Sequence, residues 1–242
     1  MAKAPQPGRA KTRLCPPLDP AQAADLGAAF LRDVTENIRL ACQTVPIAGY
    51  VAFAPAGTEP LFHGLLAPGT GLVMADGLVA MADGIEGIGR SLLHATRRLL
   101  EAGHASVCLV NADSPTLTTR FLSDAAEALS VPGDRMVLGV AEDGGYYLIG
   151  LKAPHAAVFQ DIAWSTDQVS VQTLQRAAAL GLEVVTLPPW YDVDDAASLS
   201  RLAGELAAPG EAGGPLPFAA PATRMWFART RFGVTGDGAR LA

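Results

Sequence analysis

The chain has 242 residues, half of them hydrophobic and 17% charged, with a formal net charge of −6. That length carries one α/β domain with a sizeable core and excludes a disordered or fibrous chain. The acidic balance speaks against a nucleic-acid partner, and no apolar run reaches the roughly 18 residues that span a bilayer.

The N-terminal stretch MAKAPQPGRAKTRL has no apolar centre of the signal-peptide kind, so a cytoplasmic protein is expected, with no membrane partner. Cys15, Cys42 and Cys108 show no CxxC spacing and read as thiols in a reducing compartment, Cys42 and Cys108 as buried packing residues. Basic residues are concentrated: Lys3, Arg9, Lys11 and Arg13 fall within eleven positions. Pro5, Pro7 and Gly8 hold this stretch in an extended turn, so that Arg9, Lys11, Thr12 and Arg13 can converge on one anion. A solvated basic terminus is the plain alternative. Such a loop ordinarily follows a first strand, yet here it begins at residue 3. The first strand therefore reads as truncated, with an upstream segment of about five to eight apolar residues expected.

Further along, Leu26, Phe30, Val34, Ile38 and Ala41 recur at helical spacing and predict a helix over 20–43. Strands are predicted at 47–54 and 72–75. A helix follows over 86–103, with Ile88, Leu92, Leu99 and Leu100 on one face and Gly103 as its stop. The glycines of DGIEGIGRSL have the wrong spacing for a dinucleotide fingerprint; they lead into this helix and bring Arg90 towards a substrate. The continuous apolar run at 106–110 predicts a central strand, and a helix is expected over 118–130. Strands at 136–140 and 146–151 flank a DGG turn. Residues 165–168 form a capping-box pattern opening a helix that runs to Gly181. A strand at 184–187 and a helix over 195–207 complete a domain spanning 1–208. Residues 209–242 are rich in Gly, Pro and Ala and read as a loosely held tail. Strands alternating with helices predict a three-layer α/β/α sandwich around a mostly parallel sheet, with ligands at the carboxyl ends of the strands.

That rule places NADSP, EDGG and the N-terminal loop together on one edge. Asp113 ends the central strand in NADSP, followed by Ser114; it could hold Mg²⁺ or Mn²⁺, or simply open the next helix. In EDGG, Asp143, Gly144 and Gly145 allow positive φ and close approach of a ligand, or make an ordinary hairpin turn. One of Tyr146 and Tyr147 should face the core and the other the site. Asp192, Asp194 and Asp195 crowd into WYDVDD. Asp195 reads as a helix cap, which leaves Asp192 and Asp194, two apart on extended chain and pointing the same way, as a candidate metal pair. His63, His94, His104 and His155 have no ligand spacing.

KAPQPGRAKTRL, NADSPTL, GVAEDGGYYLIGL, IAWST and YDVDD, in that order, resemble a glycosyltransferase-A-like bacterial family named "transferase 1, radical-SAM/selenodomain-associated". They are also similar to the guanylyltransferase that activates 2-phospholactate. The match covers roughly residues 2–206. This resemblance implies a nucleotide-diphospho-sugar transferase fold, with the nucleotide phosphates on Arg9, Lys11 and Arg13. It further implies metal on Asp113 and Asp194, and an acceptor or sugar pocket lined by Asp143, Gly144 and Tyr146. Two features depart from the pattern: Asn111 stands where a D-x-D pair would begin, and the first strand is short. The implied activity is glycosyl transfer from a nucleotide-sugar to a small-molecule acceptor with Mg²⁺ or Mn²⁺, Asp143 acting as base. Nucleotidyl transfer from an NTP, with Lys11 and Arg13 on the departing pyrophosphate, is the alternative. A non-catalytic nucleotide-binding protein is the third reading.

Overall fold

The computed structural model describes residues 1–75, 81–207, 216–230 and 232. Helix α1 (Pro20–Ala41) begins at Asp19, which accepts from Gln22 N while the Gln22 side chain accepts from Asp19 N. This reciprocal cap satisfies two end groups, and Pro20 sits at the first helical position, where its missing N–H costs nothing. Strands β1 (Tyr50–Phe53) and β2 (Gly71–Met74) pair in parallel as a two-stranded sheet. Helix α2 (Gly87–Glu101) leads to β3 (Val107–Val110), α3 (Thr119–Ser130), β4 (Arg135–Ala141) and β5 (Tyr146–Leu151). Helix α4 (Val169–Ala179), β6 (Glu183–Trp190), α5 (Ala196–Ala207) and α6 (Pro221–Thr230) follow.

A second sheet runs in the order β3-β5-β4-β6. β5 is antiparallel to both neighbours, while β4 and β6 are parallel. The two sheets meet through the first two residues. Ala2 N donates to Ala52 O at 2.9 Å, and the Met1 ammonium donates to Val110 O at 2.8 Å. A two-residue stub of extended chain thus lies between β1 and β3.

Period-two alternation sorts the strand side chains into two cores. Leu109, Met136, Leu138 and Ile149 pack with Leu92, Leu93 and Leu99 of α2 and Ala177 of α4. Val137 and Leu148 face the opposite way, onto Ala41 of α1 and Phe121, Leu122 and Leu129 of α3. Helices on both faces make the α/β/α sandwich; β1 and β2 run parallel to each other, and in the second sheet every strand but β5 runs one way.

Two expectations from the sequence fail. The pattern at 165–168 does not cap α4: Ser165 has φ +64°, and the helix starts after Gln168 without a side-chain cap bond. The loosely held tail is, over 221–230, helix α6 packed on α1. The buried Asp33 of α1 caps it from outside, accepting from Ala222 N at 2.9 Å and Thr223 N at 2.7 Å. The remainder of 209–242, apart from 216–220 and Phe232, lies outside the described residues. No helix among the described residues is long and apolar enough to cross a membrane.

Candidate functional site

The basic loop folds back on itself before it reaches the site. Arg9 N and Ala10 N both donate to Gln6 O, and Gly8 turns the chain at φ +72°. Lys11 then adopts φ +50°, a conformation that costs a non-glycine residue about 1 kcal/mol. A short 3₁₀ turn, Thr12–Leu14, ends on the fully buried Leu14. The extended turn expected here thus closes into helical backbone at its end.

Lys11 points inward. Its Nζ lies 2.8 Å from Asp113 Oδ1, 3.4 Å from Asp194 Oδ1 and 2.7 Å from Val193 O, and 5.1 Å from the centre of the Phe30 ring. The side chain is 9% exposed, whereas Arg13, which reaches Asp194 Oδ2 at 3.4 Å, is 69% exposed. Lys3, Arg9, Lys11, Thr12 and Arg13 line a cleft of about 440 Å³ together with Asp113 and Asp194. Ile88 and Ser91, at the start of α2, form part of its wall. Neither stands out in the sequence, because nothing in GIGRSL separates a cleft-facing serine from a helix-surface one.

Several predicted residues lie elsewhere. Pro7 and Gly8 are exposed at the loop's bend and do not line the cleft. Arg90 is in the first turn of α2, also off the cleft lining. Ser114 is 2% exposed, and its hydroxyl donates to Tyr191 O at 2.8 Å. It ties NADSP to WYDVDD and has no surface for a ligand. Val193 N completes that tie by donating to Asp113 O.

The DGG turn packs against protein. Asp143 Oδ1 accepts from Gly145 N, and Gly144, at φ +89°, accepts from Ser170 N through its carbonyl. A Cβ on Gly144 would strike the backbone of Asp167. The close approach reserved for a ligand is made by the chain's own Asp167. Both tyrosines turn inward: Tyr147 OH donates to Pro188 O, and the Tyr146 hydroxyl is buried without a hydrogen-bond partner among the described residues, its ring edge-on to Trp164. The expected division between core and site does not occur.

Among the carboxylates, Asp195 caps α5 by accepting from Ser198 N at 2.8 Å. Asp192 is pushed up to about 6 by burial first, then by Asp143, Asp194 and Asp113. The four acids thus share one neighbourhood, with Lys11 as the cation inside it. Among the described residues, no three His, Cys, Asp or Glu side chains are grouped to hold a metal, so Asp192 does not complete a triad with Asp113 and Asp194. Asp113 and Asp194 do converge on one cation-sized point, the one Lys11 Nζ takes. Two carboxylates of this kind fit Mg²⁺ or Mn²⁺ arriving with phosphate, since Mg²⁺ commonly uses one or two protein carboxylates plus substrate oxygens.

The fold is an α/β/α sandwich of the nucleotide-diphospho-sugar transferase kind. A crystal structure from Desulfovibrio desulfuricans G20, described as a "putative nucleotide-diphospho-sugar transferase", has a TM-score of 0.72 at 24% identity, over 96% of this chain and 95% of that one. A CMP:2-keto-3-deoxy-manno-octonic acid synthetase complexed with CTP is a more distant likeness, with a TM-score of 0.46 and 14% identity over 74% of this chain and 87% of that one. No curated protein matches. The family model described as "Uncharacterized protein conserved in bacteria (DUF2064)" matches residues 37–166, more than half of the chain, and the chain belongs to that family.

Proposed function

We propose that the protein is a transferase acting on a nucleoside polyphosphate substrate, and that it moves a glycosyl group from a nucleotide-diphospho-sugar to a small-molecule acceptor. The observation that carries this reading is the cleft in which Lys3, Arg9, Lys11 and Arg13 stand against Asp113 and Asp194. Cations and carboxylates in one cleft suit a ligand that brings both anionic oxygens and a divalent metal. Arg9 and Arg13 hold the exposed phosphate oxygens through their planar forks. Lys11, which gives up its place between Asp113 and Asp194 to an arriving metal, supplies a positive charge to the departing diphosphate from beside that point. Asp113 and Asp194 would hold Mg²⁺ or Mn²⁺, which when bound neutralises the leaving group. Asp143, the exposed residue at the head of the DGG turn and beside Asp192, takes the acceptor's proton. The finer assignment to the radical-SAM-associated transferases, and a cytoplasmic location, belong to the same proposal.

A second reading has its own support. The number of cations lining the cleft suits departure of pyrophosphate, as in nucleotidyl transfer from an NTP to an acceptor phosphate. Incubation with Mn²⁺ and each NTP or UDP-, GDP- and CDP-sugar separates the two. Release of nucleoside diphosphate from a sugar donor is the expected result. Pyrophosphate release with a phosphorylated acceptor would replace it with the second reading. Nucleotide binding without either product would leave a non-catalytic binding protein.

A further inference from the structure

The edges of β1 and β3 face one another across a cavity of about 230 Å³. Along a strand, the N–H and C=O of one residue point to the same edge, and successive residues alternate. Gly49 O and Phe53 O accept from Gly71 N and Ala75 N, so the odd-numbered residues of β1 face β2. Tyr50 and Ala52 therefore face the cavity, and Ala52 O accepts from Ala2 N. On β3, Asn111 N donates to Tyr147 O, which turns Leu109 and Asn111 towards β5. Cys108 and Val110 face the cavity, and Val110 O accepts from the Met1 nitrogen. Apart from the bonds of the Met1–Ala2 stub, no backbone hydrogen bond among the described residues joins β1 to β3.

The helix walls of the cavity are apolar but for Thr35: Val34 and Ile38 of α1 with Leu122 and Leu129 of α3, and Leu99 of α2. Apolar walls from two helix layers and polar strand edges at the sides are the surroundings of a central parallel strand. Such edges template a further chain, because buried backbone groups need partners. Met1 and Ala2 already fix direction and register. The Met1 nitrogen sits where a peptide N–H would, and burial lowers its ammonium to about 6. A peptide N–H at that atom makes the same bond to Val110 O without a charge to bury.

We propose that this cavity is a strand-accepting slot: it takes an extended apolar segment of about five residues, parallel to β1 and β3 and joined to the Met1 nitrogen, which fuses the two sheets into one. The residue next to Met1 bonds Tyr50 O and Ala52 N; the one before it bonds Cys108 O and Val110 N. The two then alternate.

The test joins Val-Ile-Val-Ile-Val to the nitrogen of Met1, with Ser-Asp-Ser-Asp-Ser as control, and follows amide hydrogen exchange. The amides of Tyr50, Ala52, Cys108 and Val110 are expected to slow by at least about ten-fold more than those of Val51 and Leu109, which are bonded to β2 and β5 already. The polar extension should give no such alternation. Equal slowing at odd and even positions, or none, would overturn the slot. Should the extended chain fail to fold, the same apolar peptide with two N-terminal lysines is added to the 242-residue chain. Alternating protection then supports the slot, and its absence overturns it.

Discussion

Lys11 concentrates the site's electrostatics in one side chain. It sits against two carboxylates and a carbonyl over the Phe30 face, nearly out of solvent. Replacing it with methionine keeps most of the packing but leaves Asp113 and Asp194 facing each other without their cation. Because both acids remain more than a third exposed, the cost is about 1–2 kcal/mol, well below that of breaking a fully buried pair. Arg13→Ala, at an exposed position, should cost under about 0.5 kcal/mol. Denaturant melts of the two variants check the contrast. Asp192 supplies the pH dependence. Its folded carboxyl binds a proton more tightly than the unfolded chain does, so its contribution to stability is present below the ordinary carboxylate range and lost as pH rises through about 6. Asp192→Asn should therefore stabilise the protein at pH 8 by about 1 kcal/mol, less than the full shift because the side chain keeps part of its water, and give no gain at pH 3. Thermal midpoints at the two pH values decide it.

Among the elements, α6 depends on a residue far away in the sequence. Asp33 accepts from both free amides of the first turn of α6, as an ordinary N-cap would, but from another helix. Asp33→Ala should cost about 2–3 kcal/mol and raise hydrogen exchange across 221–230 before it affects β4 and β5. Sequence periodicity could not foresee this. PATRMWFART has no clear apolar stripe, and its cap lies 189 residues from Ala222. Helices and strands with local signals were legible: the apolar repeat of α1 and the continuous run of β3 both form where expected. The capping pattern at 165–168 misled because Ser165 turns left-handed, while the cap at Asp19 works through the plain geometry of Asp and Gln three apart. At the site, the meeting of the N-terminal loop with Asp113 was legible from the rule that ligands bind at strand ends, whereas Asp194 stood out through the crowding of carboxylates in WYDVDD and the resemblance. Ser114, Gly144 and Tyr146 looked equally suitable, but burial decides their roles, and burial is a property of the assembled layers.

Across the whole molecule, both segments that form the cleft rest on one apolar cluster. Leu14 from the end of the basic loop, Phe30 beneath Lys11, and Tyr191 and Val193 from the acidic segment pack together with Trp226 and Phe227 of α6. The C-terminal helix contributes no lining to the cleft. It is nonetheless the wall against which the loop and the acidic segment are jointly braced, since Trp226 and Leu14 are both almost fully buried. Trimming the chain at the domain end read from the sequence, after residue 208, would spare every charged group of the cleft and still remove the surface that keeps cations and carboxylates in register. The boundary of the working unit is set by that shared foundation, well beyond the last residue that could touch a substrate.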